Sequence, residues 1–232
     1  MDNVVNENPD NTKDYETPTW SSFENLGSGI VVYRDVLTKD LEIIKRLEET
    51  LNENHPRYKW MEAFVGYYQS MPEYRDCQDF KFKKTDIAPD TSEESLKLQE
   101  LWQDCYDRQK PAVNHYQKMF NIGELRYWEA MNFVKYNKGQ HFQYHHDHGF
   151  SYNCTVSLVA YPNDDYTGGE LSFQHQGLMI TPKAGDLYIF PSNYMYSHRA
   201  MPVHSGTKYS VVTMLDYSAK YHSPDLYRET GD

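Results

Sequence analysis

His145-His146-Asp147, followed by His198 and then by Lys208, sets imidazoles, a carboxylate and an amine in one half of the chain. Two histidines and one carboxylate form the donor set that suits a non-haem ferrous ion. Three protein ligands on one side of such an ion leave its other positions open to an oxidant and a co-substrate. An amine drawn into the same cavity needs an anion to offset its desolvation. A dicarboxylate bound to the metal through its other end would supply that anion. These residue types therefore imply an enzyme.

The elements around the motif decide which side chains can meet. Residues 128–136 are rich in aromatic and β-branched types, Asn137-Lys138-Gly139 reads as a turn, and residues 140–147 resume an extended run. On a strand alternate side chains share a face, so positions 145 and 147 point one way and His146 the other. A carboxylate two residues later separates the neighbouring histidines. His141 is followed at that spacing by Gln143, His146 by His148 and His148 by Phe150, whereas His145 is followed by Asp147. For this stretch taken alone, a strand with solvent-facing imidazoles is the plainer alternative.

Downstream, residues 166–170 form a turn entering a strand at 171–173, residues 182–186 are a second turn signal, and residues 187–190 are an apolar strand. His198 follows a short loop. Beyond Met201-Pro202 and Ser205-Gly206, Val211 and Val212 favour a strand over 208–215. Short strands punctuated by turns predict an antiparallel sandwich or barrel that can aim residues from distant strands at one interior point. His175, His204 and His222 compete with His198 for the third ligand position. His198 is favoured by Lys208, ten residues later, which one loop would return to the same cavity.

Several segments in order carry a resemblance. They are Tyr136-Asn137-Lys138-Gly139-Gln140-His141-Phe142, His145-His146-Asp147, Tyr161, Gly168-Gly169-Glu170, Pro182-Lys183-Ala184-Gly185-Asp186, His198, Pro202 and Gly206-Thr207-Lys208. The set resembles the prolyl 4-hydroxylase-like branch of the iron(II)- and 2-oxoglutarate-dependent dioxygenases over residues 133–216. That resemblance implies a mostly β chain with supporting helices (α+β), built on a double-stranded β-helix, a jelly-roll of cupin type, with N-terminal helices on one face. It implies Fe(II), 2-oxoglutarate and O2, with ascorbate as reductant. His145, Asp147 and His198 match the iron ligands, and Lys208 matches the residue that pairs with the distal carboxylate of 2-oxoglutarate. Tyr136 matches a tyrosine that hydrogen-bonds the co-substrate, and Tyr161 one that contacts the same carboxylate.

Lysine, where other branches carry arginine, points to the prolyl hydroxylase side. It lacks arginine's bidentate grip, so neighbouring hydroxyls complete the contact, with Thr155, Tyr161 and Ser210 as candidates. The implied reaction hydroxylates an unactivated C–H bond, foremost on a peptidyl proline, and releases succinate and CO2. Hydroxylation of a free amino acid or small metabolite stays open as an alternative, as does a non-catalytic metal-binding cupin. Ligand histidines must be neutral, so activity is expected to fall below the imidazole pKa.

The remaining sequence reads as support. At 232 residues the chain can form one domain with a large core. Residues 1–20 are polar and aperiodic, as a flexible tail would be. Residues 21–232 are then the single dioxygenase domain, with helical support and substrate-covering loops over 21–127 and the jelly-roll catalytic core over 128–217. A first strand is expected at 30–36. Residues 38–51 read as a helix with Leu41, Ile44, Leu47 and Leu51 on one face and Thr38 near its start. Leu98, Leu101, Trp102 and Cys105 give residues 93–110 a similar face, with Pro111 ending or kinking that helix.

Residues 60–82 are expected to loop over the site. Tyrosine is frequent, at 21 residues, with clusters at Tyr67-Tyr68, Tyr144 and Tyr152, while Tyr194 and Tyr196 just before His198 are candidates for the cavity mouth. Arg199 is a candidate for substrate contact.

A net charge of −11 argues against nucleic acid and anionic membranes as partners. A peptide, protein or small-molecule substrate fits better, and oligomeric state is not legible. Cys77, Cys105 and Cys154 cannot all pair and show no CxxC spacing, so reduced thiols are expected. The polar first residues and the lack of an apolar run of spanning length point to a cytoplasmic protein.

Overall fold

A computed structural model describes residues 13–65, 69–149 and 153–222. In chain order the first strands are β1 (Ser22–Gly27), β2 (Ile30–Arg34), β3 (Met61–Glu62), β4 (Arg75–Asp76), β5 (Gln78–Phe82), β6 (Tyr127–Trp128), β7 (Met131–Tyr136) and β8 (His141–His145). The rest are β9 (Val156–Ala160), β10 (Thr167–Gly168), β11 (Leu171–Phe173), β12 (Leu178–Ile180), β13 (Leu187–Pro191), β14 (His198–Ala200), β15 (Val203–Ser205) and β16 (Lys208–Asp216). Among the described residues the α-helices are α1 (Ile43–Thr50), α2 (Lys84–Ile87) and α3 (Glu93–Phe120).

The large sheet runs β1-β2-β13-β9-β16-β7-β5-β3, with β6 also on β16, and the small sheet runs β12-β11-β14-β8-β4. Neighbours at the centre of both are antiparallel. The central strands of the large sheet are buried on both faces. On one face Val31, Tyr33, Leu158, Ala160, Leu187, Ile189 and Val211 pack with Leu98, Leu101, Trp102 and Val113 of α3. On the other, Val32, Val159, Tyr161, Tyr188 and Phe190 meet Leu171 and Phe173 of the small sheet. Two facing antiparallel sheets with helices behind one of them give the double-stranded β-helix that the resemblance implied.

Two-sided burial also explains a strand that the sequence pattern did not disclose. All five residues of β9 are buried. A strand covered on both faces shows no polar alternation, the signal by which strands are read. The expected helix over 38–51 is corrected: a 3-10 turn (Lys39–Leu41) ends at Glu42, whose φ of +46° is left-handed, and α1 starts afresh at Ile43. That break rotates the buried face to Ile43, Leu47 and Thr50. Pro111 does not end α3, which runs on to Phe120. An interior proline costs about 3 kcal/mol. Burial of Ala112, Val113 and Tyr116 beyond it offsets that loss.

The expected flexible tail is also corrected in its described part. Tyr15 is buried against Tyr106 and its hydroxyl donates to Asp107 at 2.7 Å, so residues 13–20 lie on α3. Residues 1–12 lie outside the described residues, as do Tyr67-Tyr68 and Tyr152. The segment expected as a loop over 60–82 instead holds β3, β4 and β5, and it bridges the sheets because β4 pairs with β8 and β5 with β7. No helix among the described residues is long and apolar enough to cross a membrane. All three cysteines are buried and unpaired.

Gly168 turns the chain toward β11 at φ +73°, and a Cβ there would stand 2.5 Å from the Pro202 carbonyl oxygen. Gly168→Ala should lower the unfolding free energy by about 2 kcal/mol, from backbone strain and the forced shift. Urea titration measures this; an unchanged midpoint would show that the turn can relax at no cost.

Candidate active site

β8 and β14 are neighbours in the small sheet, and their register sets His145 directly opposite His198. Asp147 lies just past the end of β8. Nε2 of His145 is 3.7 Å from Oδ1 of Asp147, and Nε2 of His198 is 3.8 Å from Oδ2. These gaps are too long for hydrogen bonds. One donor atom from each residue lies within 4.8 Å of the others, so all three can reach a single ion.

The backbone fixes which nitrogen each ring offers. Nδ1 of His145 is 2.8 Å from the Gln143 carbonyl oxygen, and Nδ1 of His198 is 3.0 Å from that of Tyr196. A carbonyl can only accept, so each Nδ1 carries the proton and each Nε2 keeps a lone pair facing Asp147. Asp147 is fixed in turn, since Ser157 on β9 donates to its Oδ2 at 2.5 Å and lies 2.7 Å from the Ser192 hydroxyl.

An irregularity in β8 builds the wall beside the ligands. Phe142 pairs with Ala200 while His145 pairs with His198, so β8 spends an extra residue there. Such a bulge breaks the alternation of faces. Phe142 and His145 thereby stack, with ring centres 3.6 Å apart and planes 14° apart. Phe190 meets His198 edge-on at 4.9 Å. Burial pushes the His145 imidazole down to about 3, and the charge of His198 is the next cause. Burial thus favours the neutral, ligating form of the His145 ring.

Lys208 begins β16 opposite Tyr136 and is only 1% exposed. Its Nζ donates to the Gly169 carbonyl at 2.6 Å and stands 5.2 Å from the ring centres of both Tyr136 and Tyr161. Among the described residues no carboxylate pairs with it. Burial pushes the amine down to about 7, opposed in part by the charge of Glu170. Tyr161 and Ser210 are buried nearby, the latter two residues along the same face of β16. Neither hydroxyl has a hydrogen-bond partner among the described residues. A buried cation ringed by unspent hydroxyl donors suits a carboxylate.

Other candidates fall elsewhere. Thr155 is corrected: its hydroxyl donates to Asp216 at 2.7 Å, at the end of β16 remote from Lys208. Arg199 alternates away from His198 and lies 5.8 Å over the Tyr144 ring. The Tyr196 hydroxyl is spent on the Ser28 carbonyl, and Tyr194 is 68% exposed. His175 and His204 are exposed, while His222 sits 3.1 Å from Asp216. Sequence reasoning missed Phe142, Phe190 and Ser157. A serine inside the apolar run of β9 was the signal available for Ser157. Arg75 was missed as well: it pairs with Phe142 across β4 and β8, holds its guanidinium 4.9 Å over that ring, and donates to Asp79 at 2.8 Å.

Residues 131–215 match the family model of the 2OG-Fe(II) oxygenase superfamily. No curated protein matches the sequence. Among solved structures, one similar fold is a prolyl hydroxylase from Trichoplax adhaerens in complex with a hypoxia-inducible-factor peptide. It is 12% identical over 88% of this chain and 87% of that one, with a TM-score of 0.63. A viral collagen prolyl hydroxylase from Paramecium Bursaria Chlorella virus-1, in complex with 2OG, is 19% identical over 82% and 96% of the two chains, with a TM-score of 0.52. A Pseudomonas putida prolyl-4-hydroxylase is 20% identical over 81% and 92%, also with a TM-score of 0.52. At these identities the likeness is one of fold.

Asp147→Ala removes the one carboxylate between the imidazoles while leaving the sheet pairing in place. It should abolish Mn(II) or Fe(II) binding in calorimetry with the circular dichroism spectrum retained. Metal binding at the parental affinity would mean that the ion sits elsewhere.

Proposed function

We propose that this 2-oxoglutarate- and iron(II)-dependent dioxygenase, whose oxygenase domain spans residues 131–215, hydroxylates a prolyl residue of a peptide or protein. The observation that carries the co-substrate assignment is Lys208, buried with no carboxylate partner among the described residues, in a fold that also gathers a His-Asp-His cluster. His145, Asp147 and His198 would hold the iron, the two imidazoles offering their Nε2 lone pairs. Lys208 takes the distal carboxylate of 2-oxoglutarate, with Tyr161 and Ser210 as donors beside it and Tyr136 as the neighbouring wall. When bound, iron with 2-oxoglutarate and oxygen supplies an oxidant strong enough for an unactivated C–H bond, leaving succinate and CO2.

The chain's own residues do the rest. Gln143 and Tyr196 carbonyls hold the ligand rings in one tautomer, Ser157 orients Asp147, and Phe142 and Phe190 exclude water from the imidazoles. Prolyl specificity is supported by the resemblance that includes the lysine at position 208 and by the fold shared with a prolyl hydroxylase in complex with a peptide and with a collagen prolyl hydroxylase. A non-catalytic cupin gives no reason to bury that ammonium. We place the substrate-covering part of the same domain in the residues before 128.

The direct test offers proline-containing peptides, free proline and other amino acids to the iron-loaded protein. Succinate release coupled to the gain of one oxygen atom on a peptide is expected. Strict preference for a free amino acid would replace the peptide substrate with a metabolite.

The buried amine adds a pH signature. A bound dicarboxylate favours the ammonium form, so Lys208 must be protonated in the complex, whereas the free group loses its proton above about 7. Binding above that pH therefore takes up a proton, and affinity falls as pH rises, by at most about tenfold per pH unit. Calorimetry of 2-oxoglutarate binding to Mn(II)-loaded protein in two buffers of different ionisation enthalpy measures the uptake. Equal affinities at pH 7 and pH 9 would show that the free amine keeps its proton across that range.

A further inference from the structure

Tyr166 lies just before β10, in the turn that leads into Gly168-Gly169-Glu170, and has no role in the His-Asp-His cluster. Its ring is part-buried, yet its hydroxyl oxygen is fully buried and has no hydrogen-bond partner among the described residues. Leaving a buried hydroxyl unpaired costs about 1–3 kcal/mol. The fold nonetheless makes room for it. A Cβ on Gly169 would stand 3.2 Å from Cε2 of Tyr166 and 3.0 Å from Cδ of Lys208, so both side chains close on the same face of that glycine. A Cβ on Gly206 would stand 3.0 Å from Cα of Tyr166. Both glycines have positive φ, +67° and +76°, so the backbone on each side is shaped around this tyrosine. The Lys208 ammonium donates to the carbonyl of the same Gly169.

Both side chains thus close on one glycine, where the hydroxyl has no acceptor among the described residues and the ammonium has only the Gly169 carbonyl. A hydroxyl and an ammonium do not neutralise one another, but one carboxylate accepts from both. We infer that the Tyr166 hydroxyl is a further co-substrate-binding group, donating to the distal carboxylate of 2-oxoglutarate beside Lys208. This rests on the co-substrate reading given above. It adds a further grip beside those of Tyr161 and Ser210, where a lysine lacks the bidentate hold of an arginine. It also makes the cavity selective for ligands whose second carboxylate reaches this depth.

Tyr166→Phe keeps the ring and deletes only the hydroxyl, so the apo protein should melt at the same temperature or slightly higher. Binding is measured by calorimetry on Mn(II)-loaded protein, with 2-oxoglutarate and with oxalate, which lacks a distal carboxylate. The Kd for 2-oxoglutarate should rise roughly tenfold or more, the worth of a hydrogen bond to a charged group. Oxalate binding should not change. Lys208→Ala run in parallel separates the two readings. If wild type binds no 2-oxoglutarate, or binds it equally after Lys208→Ala, the co-substrate site itself is misassigned and this inference falls with it. If Lys208→Ala weakens binding while Tyr166→Phe binds as wild type, or if Tyr166→Phe weakens oxalate to the same degree, only the role of Tyr166 is overturned.

Discussion

A charge can be buried between two packed sheets only if something meets it, and Lys208 is the place where the described residues leave that demand without a carboxylate. The ammonium stands between two tyrosine rings with one carbonyl to receive its protons. Taking such a group out of water is expensive, and without a partner anion the cost appears as a depressed pKa. A core selected for stability alone would place an apolar side chain there. The surrounding features become intelligible from this constraint: an unpaired buried hydroxyl nearby and glycines that let side chains close in.

Strand register is what brings these parts together. The imidazoles belong to residues more than fifty positions apart, yet they are direct partners across β8 and β14, just as Lys208 and Tyr136 are across β16 and β7. Antiparallel pairing fixes such relations to within one residue, because a slip of one would turn every side chain to the opposite face. The bulge in β8 is a controlled exception, and it lets Phe142 and His145 share a face. Ser157 and Ser192 add polar links from the large sheet, so Asp147 is tied to both layers of the fold.

The helical layer serves the site indirectly. α3 covers the outer face of the large sheet and shields it from solvent, which leaves the inner face free to be shaped by the small sheet and the cavity. Its passage through Pro111 shows tertiary burial overriding local preference. Residues 13–20 dock on the same helix, which extends the packed unit beyond the boundary that polarity alone suggested.

The sequence by itself determined the ligand types and their spacing: His145 with Asp147, then His198 with Lys208 ten residues on. It also determined the alternation of short strands and turns that calls for an antiparallel core. These are local properties, carried by residue chemistry and by the period of side-chain direction along a strand. Tertiary structure alone decided the rest. Strand β9 was hidden because burial on both faces erases alternation, and the helix over 38–51 was broken by a single left-handed residue that no periodicity reveals. Thr155 and Ser210 looked alike as hydroxyls near the motif, but register sent one to Asp216 and set the other beside Lys208. Tyr166 has an ordinary turn sequence around it. Only the fold brings Gly169 against its ring and Gly206 against its Cα, and so sets Tyr166 on the same glycine that Lys208 packs on, since nearness across a sheet is set by pairing between distant strands and not by distance along the chain.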